Sequence, residues 1–371
     1  MKRILKTFMY ILLAIVILII GFLYFLGKSD QVGKIATGER LKRMESNKTF
    51  KASVYENLEN TPSIKEGVSQ IEVLKTFFFG KEPNNVPKIP LPVIQTDLKN
   101  LNPQEDLIVW FGHSSYYLQI DGKRILVDPI FSKYASPVPI GIKAFPMTYE
   151  YKAEDLPPID ILIITHDHWD HLDYPTFQKI KNTTKTVVTS LGVGAHLEKW
   201  GYPTSQIHEL YWGEDVHIEA LKVRAAPARH FSGRWFKRNT SLWSSFILTS
   251  TNYNLFLGGD SGYGQHFKEI GNQYGPFDLA ILENGQYNEL WKYIHLMPEE
   301  AIQAAEDLKA SQLLPVHNSK FPLANHNWDE PLIRISKEAK NRNKPIWTPQ
   351  IGQIIYLNKP NQFKEWWQDL K

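Results

Sequence analysis

Hydrophobic and polar positions divide this chain of 371 residues into three stretches of different character. The first is continuous. Phe8 through Gly27 runs twenty residues without a charge and is rich in Ile and Leu. A helix of that length, at about 1.5 Å per residue, spans a hydrocarbon core of roughly 30 Å. A secretory signal has a shorter apolar core, about 7–15 residues, and ends in small residues. This run ends Phe22-Leu23-Tyr24-Phe25-Leu26-Gly27-Lys28, so an uncleaved anchor over residues 1–28 is preferred to a cleaved peptide. Lys2, Arg3 and Lys6 favour an N-terminus inside, while Lys28, Lys34, Arg40, Lys42 and Arg43 on the other flank pull the opposite way. The expected arrangement is a single-pass N-terminal anchor with the body outside the cytoplasm.

The second stretch, residues 29–104, is mixed. Ser29, Asp30, Gly33, Gly38 and Asn47, with a local Lys/Arg excess, read as a polar juxtamembrane extension. Ile71 through Phe79 carries apolar residues at helical spacing, and Asn84 through Pro92 breaks regular structure. Phe77-Phe78-Phe79 either packs onto the body as core, the preferred reading, or faces lipid.

From residue 105 the apolar runs become short and strand-like. Candidate strands are 107–111, 116–120, 124–127, 159–164, 185–189, 216–220, 222–226, 244–249, 254–257, 278–282, 313–316 and 353–357. Asp121-Gly122 signals a hairpin. Helices are predicted over 174–181, 193–200 and 298–309. Hairpins first, then strands interleaved with helices, predict two packed sheets with helices outside. The expected fold class is α/β, with one body over residues 105–371 and no internal repeat.

Composition narrows the chemistry. Hydrophobic content of 43% and charged content of 22% are globular values. A net charge of +3 gives no case for a nucleic-acid partner. The chain has no cysteine, which excludes disulfides, thiolate metal ligands and a cysteine nucleophile.

One segment concentrates ligand chemistry. Directly after the run 159–164, the stretch His166-Asp167-His168-Trp169-Asp170-His171 puts three histidines and two aspartates into six positions. A loop leaving a buried strand is where catalytic groups usually lie. Imidazole and carboxylate are zinc ligands, and this loop offers more than one tetrahedral ion needs. His230, Asp260 and His317 each follow another apolar run. Together they make the inventory of a site for two metals.

With these motifs the chain resembles metallo-β-lactamase-fold hydrolases, and within them the N-acylphosphatidylethanolamine-hydrolysing phospholipases D. The resemblance rests on Gly112-His113-Ser114-Ser115, Leu126 through Ser132, the 166–173 cluster, Pro227-Ala228-Arg229-His230, Gly258 through Tyr263, and His295 through Ala301. It implies a four-layer αββα sandwich. It also implies two Zn²⁺ ions, with other divalent metals such as manganese or iron compatible with the same donors. His166, His168 and His230 would hold one ion. Asp170, His171 and His317 would hold the other, and Asp260 would bridge them. Asp260, His295 and Asp128 are the implied catalytic residues, with Asp128 and His113 orienting ligands from behind. Trp169 and His295 match positions near the phospholipid.

The implied activity releases N-acylethanolamine and phosphatidic acid, with a membrane phospholipid and the bilayer as partners. The family's lipid-binding N-terminal portion is not matched clearly, which puts acyl and headgroup preference in doubt. Carbonyl chemistry of the lactonase kind is an alternative. A nuclease is another, for which Arg229, Arg234, Lys237 and Arg238 are the only local candidate for a basic groove; the preferred reading of those residues is a solvated loop or an anionic-headgroup contact. A metal-stabilised scaffold is the non-enzymatic alternative. Oligomeric state is open, a dimer included. Trp235, Trp243, Trp291 and Trp328 are expected mostly in the core, with lining of an acyl channel as the alternative for some, and Trp366-Trp367 either cap the fold or touch the membrane interface.

Overall fold

The computed structural model describes residues 2–370, with every side chain among them except that of Phe78. Lys2–Lys28 is one unbroken helix with no buried residue. Among the described residues it is the one helix long and apolar enough to cross a membrane.

Two sheets form the body. One has seven strands in the spatial order Ile354–Tyr356, Leu107–Trp110, Tyr116–Ile120, Lys123–Val127, Ile159–Ile164, Thr184–Ser190, Ile207–Leu210. The other has six, in the order Ala310–Val316, Phe277–Glu283, Asn254–Leu257, Ser245–Thr249, Leu221–Ala226, Asp215–Ile218. Each sheet is antiparallel on one side and parallel on the other. The parallel strands need crossovers, which supply the helices of the outer layers. Asp121 and Gly122 both take positive φ at the predicted hairpin, as a type I′ turn requires.

The layers follow from alternation along each strand. Ile161 and Ile163 face the second sheet and pack with Val223, Phe246, Leu255 and Ile281. Leu162 and Ile164, one position on, face outward to Phe177, Ile180, Leu197 and Trp200. On the other side Phe256, Ala280 and Leu313 pack against Phe267, Ile270, Ala301, Ile302 and Ile335. A strand with apolar partners on both faces reads as a continuous apolar run rather than an alternating one. The result is the αββα sandwich.

Three elements of the body, one strand and two α-helices, lie outside those expected from the hydropathy pattern. Strand Ile207–Leu210 is interrupted by His208 and Glu209 and sits half-buried at a sheet edge. Helix His266–Tyr274 buries only Phe267 and Ile270 as large apolar residues. Helix Glu330–Asn341 buries Leu332, Ile335 and Ala339 at helical spacing, a signal that was present. Trp366 and Trp367 are buried in the core between the sheets, so they cap the fold rather than meet the membrane.

The extension after helix Lys2–Lys28 is docked on the body rather than loosely attached. Ala36, Met44 and Tyr55 form a core with Leu191, Trp212 and Trp243. Arg40 reaches Glu198 and Glu209 at 2.7 and 2.5 Å. In helix Gln70–Phe79, Phe77 packs partly buried beside Trp291 and Ile294, and Phe79 is exposed. The side chain of Phe78 lies outside the described residues. Arg40→Met would remove charge-assisted bonds worth about 1–3 kcal/mol. We expect a lower thermal midpoint and faster proteolytic cleavage within residues 30–60; unchanged proteolysis would show that the strap is held elsewhere.

Candidate metal centre

The C-terminal ends of several strands converge on one edge of the sandwich. Ile164 leads into the histidine loop, Leu257 into Asp260, Val316 into His317 and Val127 into Asp128. Gly259, just before Asp260, has φ +61°, and a Cβ there would stand 2.9 Å from Thr165 Cβ. Only glycine brings the two loops this close.

Two sets of ligand atoms result. In the first, His168 Nδ1 lies 2.9 Å from His166 Nε2 and 3.2 Å from His230 Nε2. Asp260 Oδ2 stands 3.9 and 3.7 Å from His166 and His230. In the second, His171 Nε2 is 3.6 Å from Asp170 Oδ2 and 3.2 Å from Asp260 Oδ2. His317 lies 3.2 Å from Asp260 Oδ1. Asp260 therefore touches both sets.

The donors fit divalent ions. Metal–nitrogen bonds of about 2.0–2.1 Å give a tetrahedral edge of about 3.3 Å, close to these separations. Ring nitrogens that face each other so closely need a shared cation or a proton between them. Buried polar atoms normally find partners. Among the described residues, His113 Nδ1, His168 Nε2, His171 Nε2, His317 Nε2 and Asp260 Oδ1 are buried here with no hydrogen bond.

Four of the rings are held through Nδ1. His230 Nδ1 contacts Ile294 O at 2.7 Å, His171 Nδ1 contacts Asp128 at 2.8 Å, and His317 Nδ1 contacts Ser114 at 2.8 Å. His166 Nδ1 lies 2.9 Å from Thr165 Oγ1. Such contacts fix tautomers and leave Nε2 of His166, His171 and His230 free as a ligand, whereas His317 meets both Ser114 and Asp260 through Nδ1 and His168 faces the cluster through Nδ1. Asp128 also accepts from Thr165 N and Oγ1. It is 1% exposed and lies behind His171, outside the cavity, so its place is that of an orienting group. His113 Nε2 sits 2.8 Å from Asp170 and orients that carboxylate.

Electrostatics favour metal-ready forms. Burial pushes the imidazoles of His166, His230 and His317 well below their usual range, and takes His168 to about 4. Burial opposes ionisation of Asp260, yet His171 and His317 hold it well below the ordinary carboxylate value. His171 behaves differently. Burial would lower it, but Asp260, Asp170 and Asp128 raise it well above 6.5. A proton there occupies the charge position that a metal would take.

The cluster opens on a cavity of about 370 Å³. Its walls are mainly apolar: Ile64, Val73, Leu74, Phe77, Phe231, Trp291, Ile294 and Leu323. His295 lines it, with Nδ1 bound 2.6 Å from Glu283. Burial would lower His295, but Glu283 and Asp260 raise it to about 9. Trp169 lies elsewhere. It is covered by Arg234, 3.9 Å from its centroid, and lines a separate cavity with Ser132, Tyr134 and Tyr174.

Two residues escaped the sequence reading. Glu283 ends its strand as Asp260 and His317 follow theirs, so the same rule would have found it. Asp167, inside the motif, accepts from Gly233 N and Ser241 Oγ and pins the loop. Arg229 is tied to Thr61, Asn60 and Tyr263 beside a separate cavity, and Arg234 is buried, so the two do not share a basic groove.

Residues 123–318 match the β-lactamase superfamily domain. The chain belongs to the β-lactamase superfamily. It is a metal-dependent hydrolase of the metallo-β-lactamase fold. An uncharacterized protein of Mycobacterium tuberculosis (strain H37Rv) is 38% identical over 288 residues, 76% of this chain and 77% of that one. N-acyl-phosphatidylethanolamine-hydrolyzing phospholipase D 1 of Caenorhabditis elegans is 29% identical over 252 residues, 63% of this chain and 69% of that one. The solved structure of Igni18, a metallo hydrolase from Ignicoccus hospitalis, superposes with a TM-score of 0.52 at 19% identity, over 70% of this chain and all of that one. At that identity the likeness to the solved structure concerns fold alone.

Two measurements follow. Asp128→Asn should weaken metal affinity about 10–100-fold, as loss of a ligand's hydrogen-bond partner typically does; competition with a fluorescent chelator would read it, and unchanged affinity would refute the orienting role. Because His171 holds a proton where the metal binds, metal uptake must release it, and affinity must rise with pH. Metal content after dialysis should fall progressively as pH drops, starting from above the ordinary imidazole value of about 6.5.

Proposed function

We propose that this chain is a membrane-held phosphodiesterase with two zinc ions, which hydrolyses N-acylphosphatidylethanolamine to N-acylethanolamine and phosphatidic acid. One observation carries the reading: the ligand cluster forms the floor of a cavity whose walls are apolar. A lipid presents that combination, a phosphodiester joined to hydrocarbon. The relative named as a phospholipase D of this substrate supports it. So does the apolar helix Lys2–Lys28, read here as an uncleaved anchor with the body outside the cytoplasm.

His166, His168 and His230 would hold one ion, Asp170, His171 and His317 the other, with Asp260 shared. Imidazole and carboxylate donors without thiolate suit zinc. The ions would supply a water-derived nucleophile near neutral pH and neutralise charge on the phosphoryl oxygens. The chain's own residues do the rest. Asp260 fixes the spacing of the two ligand sets. The apolar walls keep bulk water from the phosphorus. Glu283 holds His295 through Nδ1 and turns its other ring nitrogen toward the cavity. From there His295 gives a proton to the ethanolamine oxygen as its bond to phosphorus breaks.

Incubation of the full-length, zinc-loaded chain with N-acylphosphatidylethanolamine, followed by mass spectrometry, should show both products, and chelator should abolish them. Zinc-loaded protein that leaves the lipid intact would sink this reading. His295→Gln should lower kcat by about 10²–10⁴-fold, the usual worth of a general acid, with zinc content unchanged. A change confined to KM would make His295 a binding group only.

A further inference from the structure

We propose that Arg238 is the residue by which the cavity selects an anionic phosphoryl group, its guanidinium taking a phosphate oxygen of the substrate. The inference rests on the phosphodiester reading and adds to it a specificity-determining residue.

Arg238 lines the same cavity as His168, Asp170, His230 and Asp260. Apart from the ligand cluster and His295, the residues lining it are apolar or neutral. An exposed arginine is ordinarily a solvated surface group. This one differs in three ways. First, among the described residues no carboxylate lies within salt-bridge distance of it, whereas Arg40, Arg43, Arg224, Arg334 and Arg342 each have one. Second, its guanidinium lies 5.0 Å over the ring of Phe231. That ring packs 4.3 Å from His168 and 4.7 Å from His230, so one aromatic layer separates the cation from the ligand rings.

Third, the loop that carries it is tightly held. Asn239 N donates to Ser232 O at 2.9 Å and Tyr55 N donates to Asn239 O at 2.8 Å. Gly233 takes φ +140°, and a Cβ there would meet Arg238 Cα at 3.2 Å. The loop begins directly after His230, so the cation's place is set relative to that ligand.

The chemistry needs such a group. Moving a phosphate from water into an apolar cavity is costly unless donors replace its hydration. A guanidinium offers a planar fork that matches two phosphate oxygens, which an ammonium does not. An unpaired arginine gives up no existing ion pair when it takes the phosphate.

The test uses the full-length, zinc-loaded chain in neutral detergent. Calorimetry would follow two probes, inorganic phosphate and neutral N-acylethanolamine, for the parent, Arg238→Gln and Arg238→Lys. Arg238→Gln should weaken phosphate binding about 10–100-fold, the worth of a hydrogen bond to a charged group. Arg238→Lys should lose less. N-acylethanolamine affinity and zinc content should stay within twofold. KM for a short-chain, water-soluble N-acylphosphatidylethanolamine should rise by the same factor, with kcat nearly constant.

Unchanged phosphate affinity, or parallel loss for both probes, would overturn the proposal. A phosphate effect without a KM effect would assign the cation to free phosphate and overturn its substrate role. Phosphate binding is read without catalysis, so the two readings fail separately. If Arg238 governs phosphate binding but the parent releases no phosphatidic acid, the phospholipase reading falls and the anion site stands.

Discussion

Three carboxylates buried at one edge of the sandwich set the terms for everything around them. Asp128 is 1% exposed, Asp260 3% and Asp170 9%. Ionised carboxylates so placed are unstable unless cations or strong donors face them. Imidazoles supply part of that compensation: His171 stands between all three carboxylates, within 2.8 to 3.6 Å of each. It can carry only one proton's charge. The negative charge left over, with ring nitrogens and a carboxylate oxygen lacking hydrogen bonds, is what makes the cluster a cation site rather than a polar core.

Such a cluster needs rigid support, and the two sheets provide it together. His113 N donates to Asn318 O at 2.8 Å, and His317 N donates to His113 O at 2.9 Å. Loops from opposite sheets are thereby cross-linked at the metal edge. The geometry has a conformational cost. His113, Asp128 and His317 all take positive φ, at 53°, 40° and 65°, a region that costs a non-glycine residue about 1–3 kcal/mol. The cross-links and buried side-chain contacts must outweigh that cost. Strain gathered at the ligands, with regular strands behind them, fits a site whose side chains are aimed before anything binds.

Much of this was legible in the chain, and the illegible parts share a cause. Strand Ile159–Ile164 is apolar on both faces because helices cover what the second sheet does not, so its run was plain. The ligands follow strand ends, so the position of His166, Asp260 and His317 after apolar runs was informative. Glu283 obeys the same rule but was passed over, since a carboxylate ending a strand is ordinary until His295 is seen against it. Trp169 shows the limit in the other direction. It lies between ligands in sequence, yet its side chain points to Arg234, because neighbours in a tight loop face different ways. Strand Ile207–Leu210 is decided by pairing with Thr184–Ser190, which its own residues do not announce. The start of the extension looked merely polar because its few apolar residues, Ala36, Met44 and Tyr55, complete a core built by distant segments.

That extension bears on how helix Lys2–Lys28 and the metal edge are joined. Arg234 is 4% exposed and, among the described residues, has no carboxylate within salt-bridge distance. Its hydrogen bonds go to the carbonyls of Asp167 and Leu172 in the metal loop and of Gln31 in the strap. Its charge is further offset by the faces of Trp169 and Trp200. A second route runs from Lys34 N to His196 Nδ1, and from His196 Nε2 to Asp167. Neither the strap nor the loop can shift without breaking bonds to a buried cation. The helix end itself is close by, since a Cβ on Gly27 would lie 2.9 Å from Trp235 Nε1, and Trp235 is three residues before Arg238. The helix is thus not a free tether. Its end, the arginine loop and the histidine loop form one packed unit.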